Sequence, residues 1–473
     1  MRGAYDTAAI RAAEAELAAT LAPGTLMDRA ATGMAALCIG LLDRTYGARV
    51  VLLVGSGDNG GDALFLGAHL ARRGARVEAV LLGSRHHMAG LAALVRAGGL
   101  LAADPVAAID RAHLVVDAIL GIGGFGGLRL DAEELVLRAE ASRALLVSID
   151  VPSGVDAATG EVHGAAVHAD VTLCAGALKP ALVIDPAASY AGSVLMVDIG
   201  LAPHLPQPAI ELFETSDVEA LLPRPRPESD KYRRGVLGVV AGSDDYPGAA
   251  VLCVGAASRA GAGLVRYVGP PEVTAAVRAR WPEVVAGEGR VQARVVGPGV
   301  ADPSTVARHV AHREPVVLDA GCTTLHASAT GPVLLTPHAG ELATLLQVDR
   351  ADIEARRLHW VREAARQTRC TVLLKGSTTL VAAPGGMVRV NPTGTPWLAT
   401  AGSGDVLAGL AGTLLAGGLT PYDAGSVAAW LHGLAGRAAS GGGPITSADV
   451  LDALPGVMRR AMAVDDGESD DRG

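Results

Sequence analysis

Asp405 stands in the stretch "TAGSGDVLAG", residues 400–409, where Gly402, Ser403 and Gly404 lead into an apolar helical run. A carboxylate at a tight turn that opens a helix sits beside exposed N–H groups, which favour an anion. That pairing suits a general base acting next to a phosphate. In "LKGSTT", Lys375 is followed by Gly376, Ser377, Thr378 and Thr379, a cation and hydroxyls that can meet phosphate. In "TPHAGE", His338 and Glu341 occupy a strand-to-helix turn, where Glu341 could order magnesium, through water, around a diphosphate. The first half of the chain carries three further loops at strand ends, "GDNGGDA" (57–63), "DAILGIGGFGG" (117–127) and "DVPSGVD" (150–156). Gly60, Gly61, Gly121, Gly123, Gly124, Gly126 and Gly127 let the backbone approach a ligand closely and bind an anion such as a pyrophosphate. Asn59, Asp117 and Ser153 offer oxygen ligands suited to a hard cation, monovalent or divalent. The usual GxGxxG dinucleotide fingerprint is absent, because "GSGDNGG" has a different spacing.

The elements that must position these residues read as alternating strands and helices. From Arg49, "RVVLLVGSGDNGGDALFLGAHLARRGARVEAVLLG" is one βαβ unit. Strand-like runs follow near 113, 144, 169 and 193, each ending in Gly, Asp or both. This predicts a parallel, doubly wound sheet with its site at the carboxyl ends of the strands. The stretch "LAPHLPQPAIELFETSDVEALLPRPRPESDKYRRG" breaks the pattern with prolines and charges. It places a boundary near residue 215, giving domains 1–214 and 215–464. The second domain restarts with strands near 235, 293, 315, 332 and 371, a hairpin near 379 and 387, and helices after Gly402. The fold class is therefore α/β in both halves.

Composition agrees with two such domains. The 473 residues exceed one ordinary core. Half are hydrophobic, yet aromatics make up 3%, and 60 glycines join Ala, Val and Leu in supplying bulk. Small side chains of this kind allow the close helix–strand packing of α/β layers. A net charge of −9 gives no footprint for nucleic acid. Cys38, Cys174, Cys253, Cys322 and Cys370 are scattered, odd in number and without a CxxC pair, which predicts free buried thiols in a reducing cytoplasm. Asp6, Glu14 and Glu16 make the N-terminus unlike a signal peptide, and no apolar run reaches membrane-spanning length. The acidic run 465–473 is expected to be disordered.

"GDNGGDALFLGAHLARRG", "VVDAILGIG", "SIDVPSGVDAATGEV" and "TLCAGALKPAL", with the opening "AAIRAAEAELAATLAPGTLMDRAA", together resemble the NAD(P)H-hydrate epimerases. The resemblance covers about residues 5–205. It implies a Rossmann-like three-layer domain that interconverts the two epimers of hydrated NADH or NADPH (NADHX, NADPHX). It implies that Asp58, Asn59, Gly60, Gly61 and Asp62 bind the hydrated dinucleotide, with Gly121, Ile122, Gly123, Gly124, Phe125, Gly126, Gly127 and Asp150. Asn59, Asp117 and Ser153 would hold potassium. The family usually has Asn where Asp58 stands and Gly where Ala63 stands. Epimerisation requires the configuration at the hydroxyl-bearing ring carbon to be lost and reset, and a nearby carboxylate could shuttle the proton. Asp150 is the expected catalytic group and Lys179 a second candidate, against the ordinary alternative of a surface lysine packed on a strand end.

"GSDDYPGAAVLCVGAASRAGAGLV", "VVGPGV", "LLTPHAGEL", "VLLKGSTTLVA" and "WLATAGSGDVLAGLAGTLLAGG", followed by "AAWLHGLAG", resemble the ADP-dependent NAD(P)H-hydrate dehydratases over about 231–460. This implies a ribokinase-like α/β domain. Ala250, Gly299, His338 and Asp405 would meet the hydrated dinucleotide. Lys375, Gly376, Ser377, Thr378, Thr379 and Gly404 would meet the adenine nucleotide, with magnesium assisting. Gly321 and Ala301 depart from the family, which commonly has an acidic residue and a glycine there, so Asp319 is not expected as a ligand. The two resemblances together imply a repair enzyme whose second half dehydrates the S epimer of NAD(P)HX at the expense of ADP. A vitamin or sugar kinase of the ribokinase-like class is the alternative, and a noncatalytic nucleotide-binding module a third. Expected ligands are NADHX, NADPHX, ADP, K+ and Mg2+. The expected assembly is a cytoplasmic homo-oligomer without nucleic acid or membrane.

Overall fold

Alternate residues of the strand Arg49–Val54 face two different cores. Val50, Leu52 and Val54 join one apolar cluster, Val51 and Leu53 another. A strand buried on both faces reads as an unbroken apolar run, as "VVLLV" does. In this computed structural model, which describes residues 1–83 and 85–463, seven strands form that sheet. Their spatial order is Leu100–Leu101, Arg76–Leu81, Arg49–Val54, Leu114–Ala118, Leu145–Ile149, Val171–Ala175 and Ser193–Val197, all parallel. Helices Thr7–Ala19, Thr25–Leu41 and Asp58–Arg72 pack on one face through Ile10, Leu17, Met34, Leu64 and Leu70. Pro105–Asp110 and Leu130–Glu140 pack on the other through Ile109, Val136 and Ala139. The result is the expected three-layer arrangement.

The described chain divides into two compact units, Gly3–Ile210 and 211–463 with Met1–Arg2. The second unit has its own sheet. In spatial order it contains Val388–Asn391, Thr379–Ala382, Thr371–Leu374, Val333–Leu335, Val316–Leu318, Ala293–Val296, Val236–Val240, Leu264–Val268 and Val285–Ala286. The pairs from Thr371–Leu374 through Val285–Ala286 are parallel. Thr379–Ala382 and Val388–Asn391 add the antiparallel hairpin. Helices Pro247–Arg259, Ser403–Ala416, Pro421–Ser440 and Ser447–Met462 bury their apolar stripes in one cluster. A Cβ on Gly409 would lie 2.1 Å from the carbonyl oxygen of Cys253, so glycine lets the first two of these helices touch.

The proline-rich stretch that reads as irregular holds a short strand, Ile210–Leu212, and a helix, Thr215–Leu221. Both are too short for periodicity to register. All five cysteines are free and buried. Among the described residues no helix is long and apolar enough to cross a membrane. The run 465–473 lies outside the described residues.

Candidate functional site

Neighbouring parallel strands carry the first constellation to one sheet edge. Loops after Arg49–Val54, Leu114–Ala118 and Leu145–Ile149 enclose a cavity of about 630 Å³, within the range of small-molecule sites. Asp58, Asn59 and Asp62 reach its wall from the start of helix Asp58–Arg72. Gly121, Ile122, Gly123, Gly124, Phe125 and Gly127 reach it from the second loop, and Asp150 from the third. Gly60 and Gly61 are buried in the first helical turn. A Cβ on Gly60 would lie 2.3 Å from the Gly55 carbonyl oxygen, so only glycine lets the helix begin so close to the strand. Gly126 turns the second loop with φ 81°.

Asp150 itself has φ 69°, a left-handed backbone that Asp tolerates better than most residues. Its N–H donates to the Leu173 carbonyl at 2.8 Å. Its carboxylate pairs with the ammonium of Lys179. Lys179 is 1% exposed, so the surface-lysine alternative does not hold. Its Nζ also donates to the Ala175 carbonyl at 3.1 Å and meets Cys174 Sγ at 3.5 Å. Burial opposes the ammonium most strongly, but the Asp150 charge, Cys174 and the hydrogen bonds to both together raise the Lys179 pKa.

The three expected potassium ligands converge. Asn59 Nδ2 donates to the Leu120 carbonyl at 3.1 Å, and Ser153 Oγ lies 3.1 Å from the same oxygen. Asp117 is fully buried and accepts from Ser153 Oγ at 2.6 Å, Ser148 Oγ at 2.7 Å and the Ser153 N–H at 2.9 Å. Burial raises its pKa, and these hydrogen bonds pull it the other way. The cluster is oxygen-rich and carries one carboxylate, a donor set fitting a large hard cation. Among the described residues no group of three or more His, Cys, Asp and Glu side chains is arranged to hold a metal.

Several cavity residues escape a sequence reading, two of them charged and on the first helix. Arg11 and Glu14 reach the wall from helix Thr7–Ala19. They stand three apart beside the buried Ile10 and Ala13, which places them on one edge of the helix. Nothing in that spacing announces a glycine loop about a hundred residues away, where a Cβ on Gly123 would come 2.6 Å from Arg11 Nη2.

The second constellation gathers at the carboxyl ends of strands Val316–Leu318, Val333–Leu335 and Thr371–Leu374. Lys375 Nζ donates to Asp319 Oδ1 at 3.0 Å and lies 3.5 Å from Glu341 Oε2. Thr336 Oγ1 donates to the same Asp319 oxygen at 2.7 Å. Asp319, 3% exposed, is thus central to this cluster. His338 caps helix Ala339–Leu346: its Nδ1 accepts from the Gly340 and Glu341 N–H groups, and Glu341 accepts from the His338 N–H. A Cβ on Gly404 would lie 3.3 Å from Lys375 Nζ, which brings the lysine to the turn before Asp405. Gly402 opens helix Ser403–Ala416 with φ 88°. Asp405 follows in its first turn, with its pKa raised to about 7 by burial and by Asp319, partly offset by Lys375.

Gly376 and Ser377 are exposed, whereas Thr378 is buried and Thr379 Oγ1 donates to the Gly376 carbonyl at 3.2 Å. Beneath this loop Arg357 Nη2 donates to the carbonyls of Lys375 and Thr378, both at 3.2 Å, an anchor that no motif signals. Gly299 has φ 66°, and a Cβ there would strike Ala249 and the Tyr246 backbone. The Gly242 N–H donates to the Pro298 carbonyl at 2.7 Å, tying these loops together. Ala250 is fully buried beside Gly242. A Cβ on Gly402 would lie 2.5 Å from Leu252, which brings that helix to the Asp405 turn.

The chain matches a family model described as NAD(P)H-hydrate dehydratase over residues 237–453, and one described as YjeF-related protein N-terminus over 23–181. It is 46% identical over 446 residues to a Mycobacterium tuberculosis protein named bifunctional NAD(P)H-hydrate repair enzyme Nnr, covering 90% of this chain and 91% of that one. A Mycobacterium leprae protein of the same name is 45% identical over 453 residues, 91% of this chain and 93% of the relative. A solved ribokinase-like superfamily protein from Enterococcus faecalis aligns with a TM-score of 0.50 and 22% identity, over 54% of this chain and 98% of that one. That likeness is one of fold.

Proposed function

The chain belongs to the bifunctional NAD(P)H-hydrate repair enzymes, and from that premise we infer how its two sites divide the work. The enzyme epimerises R- and S-NAD(P)HX and dehydrates the S epimer to NAD(P)H, consuming ADP and giving AMP and phosphate. We assign the epimerase to residues 1–214 and the dehydratase to 215–464. What carries this reading is the coexistence, in one chain, of a dinucleotide-sized cavity around the Asp150–Lys179 pair and a separate base–lysine constellation at a helix start. The kinase alternative is not favoured, because relatives with the repair activity in their name match along nine-tenths of the chain.

In the dehydratase, Asp405 takes the proton of the ring hydroxyl, whose oxygen attacks the terminal phosphoryl group of ADP. Phosphate then leaves with its C–O bonding pair, assisted by the ring nitrogen lone pair, and the neighbouring ring carbon gives a proton to water, its C–H pair restoring the double bond as the C=N pair returns to nitrogen. The turn through Gly404 and the 375–379 loop orients the nucleotide, and positioning supplies much of the rate. Glu341 would hold Mg2+ through water, and that ion, when bound, neutralises charge on the phosphates. Gly299 and His338 border the ring-binding side, with Ala250 shaping it from behind. In the epimerase, residues 58–62 and 121–127 bind the dinucleotide, and Asp150 handles the proton. Asn59, Asp117 and Ser153 would hold K+, which neutralises buried negative charge there. We place the protein in the cytoplasm, where its free thiols persist, and expect a homo-oligomer, which size-exclusion chromatography with light scattering tests.

The direct test incubates S-NADHX with the protein, ADP and magnesium and follows recovery of the reduced nicotinamide absorbance. Recovery that requires ADP supports the reading. Absence of recovery, with stable phosphorylation of a small alcohol by ATP, overturns it.

A further inference from the structure

Moving a hydroxyl from one face of a ring to the other needs a proton donor as well as an acceptor. Hydroxide leaves poorly, so the C–O bond breaks as a proton reaches the oxygen. Asp150 is badly placed to give that proton, because the buried ammonium of Lys179 pairs with its carboxylate. Glu14, Asp58, Asp62 and Asp131 share the cavity wall with it. Asp58 and Asp131 are exposed and lie in the first turns of their helices, where the dipole favours a carboxylate. Glu14 has Arg11 one turn away on its own helix. Asp62 lies deeper, one turn into helix Asp58–Arg72, and among the described residues its carboxyl has no hydrogen-bond or ion-pair partner.

We propose that Asp62 is the general acid of the epimerisation, working opposite the Asp150–Lys179 pair. Asp62 gives its proton to the ring hydroxyl. The C–O bond breaks and its electron pair leaves with the oxygen as water, while the ring nitrogen lone pair forms the C=N bond of a cyclic iminium. A solvent water adds to the other face, forming a new C–O bond and returning the C=N pair to nitrogen. Its surplus proton passes to the Asp150 carboxylate, and proton exchange with solvent resets both groups. The surroundings support this division. Burial, and then the charges of Asp150, Asp58 and Glu14, raise the Asp62 pKa well above the usual carboxylate value, with Lys179 opposing. A half-buried carboxyl without a partner and a carboxylate paired with a lysine, facing one cavity, can serve as acid and base.

The proposal rests on the epimerase reading of the first unit, and the two fail differently. If the wild-type full chain does not interconvert purified R- and S-NADPHX faster than they interconvert alone, the reading falls. If it does, Asp62→Asn is expected to lower kcat for exchange by at least about 100-fold with KM within about threefold. An unchanged circular dichroism spectrum and an unchanged melting transition of the first unit report that it has folded. Wild-type exchange is expected to decline at high pH, as Asp62 loses its proton, and the residual exchange of Asp62→Asn to lack that decline. Asp62→Glu, which keeps a carboxyl, should exchange faster than Asp62→Asn. Exchange by Asp62→Asn within threefold of wild type, a rise in KM alone, or equal losses in the Asn and Glu variants overturns the proposal.

Discussion

At the scale of single residues, two carboxylates do opposite things with burial. Asp405, which we propose as the base, has a pKa of about 7, and a base works only when ionised. Dehydration should therefore fall about tenfold per pH unit below that value and level off above about pH 8, as a kcat/KM profile will show. Stability has the reverse sign. The ordinary carboxyl value is 3.8, so the folded state holds this proton more tightly than the unfolded chain. The stabilisation is complete below 3.8 and is lost as pH rises through about 7. Asp405→Asn is expected to abolish dehydration, raise the melting temperature near pH 8, and leave it nearly unchanged near pH 4. Asp150 is instead neutralised by Lys179. Lys179→Met should cost about 3–5 kcal/mol by leaving a partly buried carboxylate unpaired. Adding Asp150→Asn should restore most of that loss, read by thermal denaturation, without restoring exchange. The sequence displays Asp150 and Asp405 because each sits in a glycine-marked turn. Lys179 and Asp319 are far less conspicuous, since only tertiary packing turns a lone lysine and a strand-end aspartate into ion-pair partners.

Elements meet where glycine allows backbone contact. Helix Ser403–Ala416 lies against Pro247–Arg259 at Gly409, where a methyl group would face the Cys253 carbonyl at 2.1 Å. Gly409→Ala is expected to cost about 1–3 kcal/mol in chemical denaturation. It should also slow dehydration, because the same helix carries Asp405. The strands were readable from apolar runs ending in Gly or Asp, and the hairpin at Thr379–Ala382 and Val388–Asn391 from its two short runs. Strand Ile210–Leu212 and helix Thr215–Leu221 were not, because three and seven residues give periodicity nothing to act on. Arg357 was invisible for a different reason: its hydrogen bonds reach carbonyls beyond its own helix, and backbone acceptors carry no residue-type signature.

At the scale of the molecule, two units with separate cores, and with separate ions as we propose, should respond independently. Chelating magnesium is expected to stop dehydration and spare epimer exchange. Replacing potassium by a bulky organic cation should slow exchange and spare dehydration, with both rates followed in one sample. The thiols offer a different use of the same architecture. Cys38, Cys174, Cys253, Cys322 and Cys370 are all enclosed, and burial lifts the Cys38 and Cys322 thiols to about 12 and that of Cys174 to about 11. The native surface is therefore silent toward maleimide dyes. A cysteine substituted for Phe125, 83% exposed on the rim of the first cavity, or for Tyr246, 61% exposed beside Gly299, becomes a unique attachment point. A fluorophore there would report ligand arrival at one site at a time, without stripping a single natural cysteine from the chain.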